Sequence, residues 1–256
     1  MPATAADPCL VVFARAPVAG LVKTRLCKPQ DGQPAVLTPE QAAAVYAAFI
    51  ADVCRCGARS GIARRRLYVA GDVAHPHLQA VAREHGFALC AQTGAELGER
   101  MGAAITAELL AGARSVVLIG TDSPTLPVGY LQRAAAFLDE SAEVVLGPAA
   151  DGGYYLIGAR QPIPTVFAAG LVWGTAQVLP ATLRRLRRLA DAGIRVALLP
   201  FFYDVDTPYD LQLLACHLRL ADRPDGADRD CVAGLHTLTA VQAPASSAVL
   251  TELGWL

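Results

Sequence analysis

The chain contains no unbroken apolar run approaching the roughly 18 residues that a bilayer span requires. Its opening, Met1 to Pro8, lacks the basic start and long apolar stretch of a signal peptide, so nothing there directs export and a cytoplasmic protein is expected. The seven cysteines, Cys9, Cys27, Cys54, Cys56, Cys90, Cys216 and Cys231, form no CxxC pair and carry no histidine at zinc-ligand spacing. Neither a metal knuckle nor a disulfide framework is indicated, and most of these residues are expected to be buried free thiols. An excess of either charge is also missing. Lys plus Arg total 22 against 23 for Asp plus Glu, a net charge of −1, which leaves no electrostatic footprint for nucleic acid or an anionic membrane and favours a small-molecule substrate. Lysine itself is scarce, with only Lys23 and Lys28 among those 22 cations. Repeats and low-complexity tracts are absent.

What is present is apolar residue in quantity. Hydrophobic side chains make up 54% and charged ones 18% of 256 residues, enough for one large α/β core whose buried parallel strands have no polar face. Short β-rich runs alternate with longer helical stretches, the pattern of a mostly parallel sheet covered by helices on both faces. Strands are expected at 9–14, 66–70, 87–90, 115–120, 143–146, 154–158 and 194–199. Helices are expected at about 39–56, 76–85, 96–111, 128–139, 175–192 and 208–220. Thr38-Pro39-Glu40-Gln41 supplies an N-cap, a proline at the first helical position and a capping-box glutamine. Gly193 suits the end of its helix, and Thr207-Pro208 the start of the next. Residues 221–230 are polar and read as a surface loop.

In an open α/β sheet, ligands bind in the crevice beyond the carboxyl ends of the strands, so polar clusters directly after strands are the places to search. Four qualify. Arg15-Ala16-Pro17 through Gly20 to Lys23-Thr24-Arg25 follows the first strand; Gly20 permits close backbone approach, and Arg15, Lys23 and Arg25 offer three cations to a pyrophosphate. The same loop also reads as a solvated basic segment, since it matches neither the P-loop nor the dinucleotide fingerprint. Asp122, in Gly120-Thr121-Asp122-Ser123-Pro124, ends the most β-branched strand and is placed either to hold Mg²⁺ or Mn²⁺ or to cap the next turn. Asp151-Gly152-Gly153-Tyr154-Tyr155 reads as an acceptor pocket or as an ordinary hairpin turn. Asp204-Val205-Asp206 puts both carboxylates on one side if extended, so that one joins Asp122 at a metal while the other orients it.

These segments together resemble the DUF2064 family of GT-A-like glycosyltransferases, which includes members labelled as arsenosugar-biosynthesis transferases. The matching stretches are FARAPVAGLVKTRL (13–26), LGERM (97–101), IGTDSPTLP (119–127), LGPAADGGYYLIG (146–158), WGT (173–175) and DVDTPYDL (204–211). The resemblance implies a nucleotide-diphospho-sugar transferase fold over residues 1–220, with 221–256 as a C-terminal extension packed on the same domain. It also implies Asp122 at the metal-binding aspartate position, Asp206 as second ligand, and a nucleotide wrapped by the Arg15 to Arg25 loop. The family commonly has Gly-Asp before LGERM where this chain has Ala95-Glu96, so Glu96 keeps a carboxylate for the donor without the glycine.

The function that follows is metal-dependent sugar transfer from a nucleotide-diphosphate sugar to a small-molecule acceptor, with no nucleic-acid partner. Asp122 and Asp206 would hold Mg²⁺ or Mn²⁺, and Lys23 and Arg25 would contact the diphosphate. Asp151 would be the general base or acceptor contact, and Arg100 reaches phosphate or lies on a helix surface. Molybdopterin cytidylyltransferases and phospholactate guanylyltransferases share this fold and a DVDTP-like segment, so nucleotidyl transfer with pyrophosphate release is the alternative. The glycine-rich loop with Arg-Met-Gly typical of those enzymes is missing after the first strand. A nucleotide-binding regulator without chemistry is the third reading. Donor base, sugar, acceptor and oligomeric state are not legible.

Overall fold

The computed structural model describes residues 7–29, 34–221 and 242–256. Of the surface loop expected at 221–230, residues 222–230 lie outside the described residues, as does Cys231. Seven strands form one sheet in the order β3-β2-β1-β4-β6-β5-β7. They are β1 (Cys9–Arg15), β2 (Arg64–Ala70), β3 (Ala88–Ala91), β4 (Val116–Ile119), β5 (Val144–Pro148), β6 (Tyr154–Ala159) and β7 (Val196–Leu198). All run parallel except β6, which is antiparallel to both β4 and β5. The fold is α/β, a mostly parallel central sheet covered by helices on both faces, as expected. β1 and β4 are apolar and buried along nearly their whole length, as central strands covered on both faces must be.

Helices α1 (Pro39–Arg59), α2 (Pro76–His85), α4 (Val128–Glu140), α6 (Pro208–Ala221) and α7 (Pro244–Glu252) pack on one face, around Leu10, Val12, Phe49, Leu67 and Leu131. α3 (Leu97–Leu110) and α5 (Val178–Asp191) cover the other, around Val11, Phe13, Ile105 and Leu118. The α1 capping box forms as expected: the Thr38 hydroxyl accepts from Gln41 N–H at 3.2 Å, and the Gln41 amide oxygen accepts from Thr38 N–H at 2.8 Å. Local chemistry alone fixes that end.

Two expectations are corrected, and one element is added where the sequence reading left the structure open. α5 begins at Val178, not Thr175, because the Thr175 hydroxyl donates to Val172 O at 2.7 Å and closes a turn ahead of the helix. Of the six cysteines described, only Cys9 and Cys54 are buried and Cys216 is exposed. Finally, the region after 241 contains a helix with no evident sequence signal. The carboxylate of Asp52, buried within α1, accepts from Ala245 N–H (3.0 Å), Ser246 N–H (2.7 Å) and the Ser246 hydroxyl (2.6 Å), supplying α7 with an N-terminal cap from another element. No helix among the described residues is long and apolar enough to cross a membrane.

Candidate active site at the carboxyl edge of the sheet

From β1 the chain winds outward to β2 and β3, whereas β4 lies on the opposite side of β1. The carboxyl ends of β1 and β4 therefore flank the topological switch point, where the crevice of an open α/β sheet lies. A cavity of about 500 Å³ opens there, lined by Arg15 at the end of β1, Asp122 after β4, Asp151 before β6, and Asp204 and Asp206 after β7. Its size suits a small molecule. A second, more open hollow of about 370 Å³ adjoins it, sharing Arg15, Tyr46, Asp122 and Asp206 and adding Lys23, Thr24 and Arg25.

The segment carrying Asp204 and Asp206 is tied to its neighbours by backbone. Phe202 N–H donates to Pro148 O (3.1 Å), Ala150 N–H to Phe202 O (2.9 Å) and Val205 N–H to Asp122 O (2.8 Å). Val205 is fully buried while both flanking aspartates line the cavity, which is the extended alternation read from the sequence.

Lys23 lies at the centre. Its Nζ donates to Asp122 Oδ1 at 2.5 Å, Val205 O at 2.6 Å and Asp206 Oδ1 at 2.8 Å. An ammonium has three N–H donors, so all are engaged. Its side chain is 4% exposed and the ammonium sits 5.7 Å from the Tyr46 ring and 5.5 Å from that of Phe49. Burial alone would lower its pKa, but Asp122 and Asp206 outweigh burial and raise it, so the residue is firmly cationic. Burial likewise pushes Asp206 upward, and Lys23, helped by Arg25, overcomes it and holds the carboxylate below its usual value. Asp204 has no such partner among the described residues. Burial, then the charges of Asp151, Asp206 and Asp122, push its carboxyl up to about 7. Tyr46 braces this core: its hydroxyl accepts from Arg15 N–H (3.1 Å) and pairs with Thr121 Oγ1 (2.8 Å), which donates to Phe13 O (3.3 Å).

The other sequence-derived candidates divide. Arg15 lines both hollows. Arg25 donates to Asp206 Oδ2 at 3.4 Å. Asp151 lines the cavity, with Oδ1 accepting Gly153 N–H at 2.7 Å in a turn and Gly153 beside it in the lining. Lys23, expected on phosphate, instead spends its donors on the two carboxylates expected to hold metal. Arg100 lines the cavity, but its Nε and Nη2 go to Gly94 O (2.9 Å) and Ala95 O (3.2 Å), so it chiefly shapes the loop before α3. Glu96 is the exposed N-cap residue of α3, makes no capping bond and does not line the cavity; the reaching carboxylate is Glu99, which accepts from Ala95 N–H at 2.8 Å. Ala16 and Pro17 are buried behind the loop. Gly20 serves a turn closed by Leu21 N–H to Val18 O (3.0 Å), with φ +77° and open space around it. Gly152, at φ +91°, packs against Ala176 and anchors α5 through Leu179 N–H to Gly152 O (2.7 Å).

The oxygen donors fit a hard divalent cation in chemical type. Among the described residues no three or more His, Cys, Asp or Glu side chains gather as a complete protein cage. A Mg²⁺ site needs only one or two protein carboxylates, with water and phosphate oxygens completing the shell. Sequence reasoning missed Tyr46 and Trp173; Tyr154, expected in an acceptor pocket, lines the cavity and meets Trp173 edge-on at 6.3 Å. The WGT stretch was the available signal for Trp173; Tyr46 had none, being one apolar-face position on a long helix.

The model of the DUF2064 family, described as an uncharacterized protein conserved in bacteria, matches residues 54–175. The Lys23 loop and the Asp204 to Asp206 segment fall outside those residues. A solved structure from Desulfovibrio desulfuricans G20, described as a candidate nucleotide-diphospho-sugar transferase, is 31% identical, covers 97% of this chain and 96% of its own, and has a TM-score of 0.74. A cytidylyltransferase from Leptospira borgpetersenii is 11% identical over 96% of this chain and 94% of its own, with a TM-score of 0.53. A 4-diphosphocytidyl-2C-methyl-D-erythritol synthase from Anaerococcus prevotii is 10% identical over 83% and 96%, also with a TM-score of 0.53. At those identities the last two share the fold alone. None of the curated proteins matches the chain.

Proposed function

The chain belongs to the DUF2064 family, and from that premise we propose that it transfers a sugar from a nucleotide-diphosphate sugar to a small-molecule acceptor, using Mg²⁺ or Mn²⁺ at Asp122 and Asp206. The observation that carries this reading is the pairing of those carboxylates with a basic loop at one cavity mouth. The whole-length relative described as a candidate nucleotide-diphospho-sugar transferase supports it. A divalent cation bound there supplies charge to offset the departing diphosphate.

The chain's own residues divide the remaining work. Arg15, Lys23 and Arg25 receive the diphosphate oxygens, and the bond from Val205 N–H to Asp122 O ties together the two loops that carry the carboxylates. An acceptor hydroxyl or thiol enters from the side of Tyr154 and Trp173. Its oxygen or sulfur forms the new bond to the anomeric carbon, the bond from that carbon to the β-phosphate oxygen breaks, and the nucleoside diphosphate leaves with the bonding electrons. Asp151, through the oxygen not engaged by Gly153, accepts the acceptor's proton.

Incubation with Mg²⁺ or Mn²⁺ and panels of nucleotide sugars and nucleoside triphosphates tests the reading. Nucleoside diphosphate released from one of the sugars is the expected result, slowly with water as surrogate acceptor. Pyrophosphate released from a triphosphate would overturn sugar transfer in favour of nucleotidyl transfer. Tight nucleotide binding with neither product, even across a panel of acceptors, would favour a binding protein.

A further inference from the structure

The Lys23 ammonium occupies the space between the two carboxylates through which a divalent cation would be held. Its contacts of 2.5 Å to Asp122 Oδ1 and 2.8 Å to Asp206 Oδ1 are direct, and its third donor is fixed on Val205 O at 2.6 Å. A cation coordinated by the same oxygens would have to approach them at roughly 2.0–2.6 Å. Two positive centres cannot share those oxygens at such distances without strong repulsion. The backbone at this residue is unusual: Lys23 has φ +47°, the single positive value at a non-glycine residue among the described ones. Beside it lies the open hollow of about 370 Å³ lined by Arg15, Thr24 and Arg25, with room for the ammonium to turn outward.

We propose that Lys23 is a built-in counter-ion that holds the divalent cation's place in the ligand-free protein. Cation and diphosphate then enter together by drawing its ammonium from Asp122 and Asp206 onto the phosphate oxygens. The inference rests on the reading of this cleft as a cation and diphosphate site. It adds a coupling: the protein binds the metal poorly alone and well with the donor, because the donor gives Lys23 somewhere else to go. Apparent affinity for a ligand falls by the fraction of molecules whose site is open. A lysine that fills the site nine times in ten therefore weakens cation binding about tenfold.

Mn²⁺ binding to the full chain without nucleotide, followed by loss of the free-ion paramagnetic resonance signal, tests this directly. K23M keeps the stem and removes the charge, and should bind Mn²⁺ at least about tenfold more tightly than the unaltered protein. The gain should vanish in K23M/D122N. Equal or weaker binding by a folded K23M, or a gain that survives D122N, would overturn the inference. A second measurement needs no variant. The chain has only two lysines, and exposed Lys28 is an internal reference for Lys23. On acylation with an amine-directed reagent and mass spectrometry, Lys23 should start protected, and its labelling relative to Lys28 should rise as Mn²⁺ is added. A ratio that stays flat to the highest Mn²⁺ concentration also overturns the inference. The functional reading is judged by released product, so the two fail separately.

Discussion

Two clusters of buried charge sit at opposite ends of this sheet and are built as opposites. At the amino end, the carboxylate of Glu108 on α3 is 6% exposed and is enclosed by Arg64 at 2.7 Å, Arg66 at 3.4 Å, the Tyr68 hydroxyl at 3.0 Å and the Cys9 thiol at 3.6 Å. At the carboxyl end, the Lys23 cation is enclosed by two carboxylates that are themselves 45% and 35% exposed. The arginines that hold Glu108 are 22% and 29% exposed, less than the carboxylates around Lys23, which leaves that anion little route to exchange partners. A cation whose partners face a cavity has one. Similar pairing physics thus gives a structural tie at one end and a replaceable contact at the other, and exposure of the partners decides which.

Substitutions should pull these two clusters apart. The largest effect is expected from Asp122→Ala, which should abolish metal-dependent nucleotide binding; unchanged metal-dependent affinity by calorimetry would remove Asp122 from the cation site. Glu108→Ala leaves its cations without a carboxylate and should cost about 3 kcal/mol, read from the denaturant midpoint, with nucleotide affinity unchanged. A loss of affinity equal to that of Asp122→Ala would erase the distinction between the ends. Asp52→Ala, away from both, removes the cap of α7 and should cost about 2 kcal/mol.

Asp52 also sharpens the comparison through pH. Burial raises its carboxyl above the ordinary value despite the Ser246 and Ala245 hydrogen bonds. Its contribution is therefore complete below the unfolded value and is lost as pH rises through the raised folded one. Relative to Asp52→Asn, the unaltered protein should lose stability over that rise in a pH series of thermal unfolding; an opposite slope would mean that the hydrogen bonds dominate burial. The smallest effect is expected from Arg25→Ala. Its ion pair is 3.4 Å long with the guanidinium 51% exposed, so folding stability should change by less than about 1 kcal/mol. A larger loss would show the carboxyl-end cluster to be as structural as the amino-end one.

Much of the frame is legible in residue order because its signals are local. Thr38 to Gln41 fixes the start of α1 through atoms three residues apart. The run Val116 to Ile119 is apolar on both sides of the strand, and the extended Asp204-Val205-Asp206 alternation places its carboxylates together. Glu96 and Gly20 line neither hollow, and sequence adjacency does not tell a residue that faces a cavity from one that shapes the loop beside it.

Sequence alone determined the strand and helix alternation, the ends of several helices and the four polar clusters after strands, since each depends on periodicity or on bonds within a few residues. Tertiary structure decided which of those clusters meet. Lys23 reaches Asp122 and Asp206 across separations of 99 and 183 residues, and Asp52 caps a helix 194 residues away. Contacts at that range are set by where the sheet brings strand ends together, and charge then decides what those ends hold. A lysine read as a ligand for phosphate is, in the folded chain, the partner of two carboxylates.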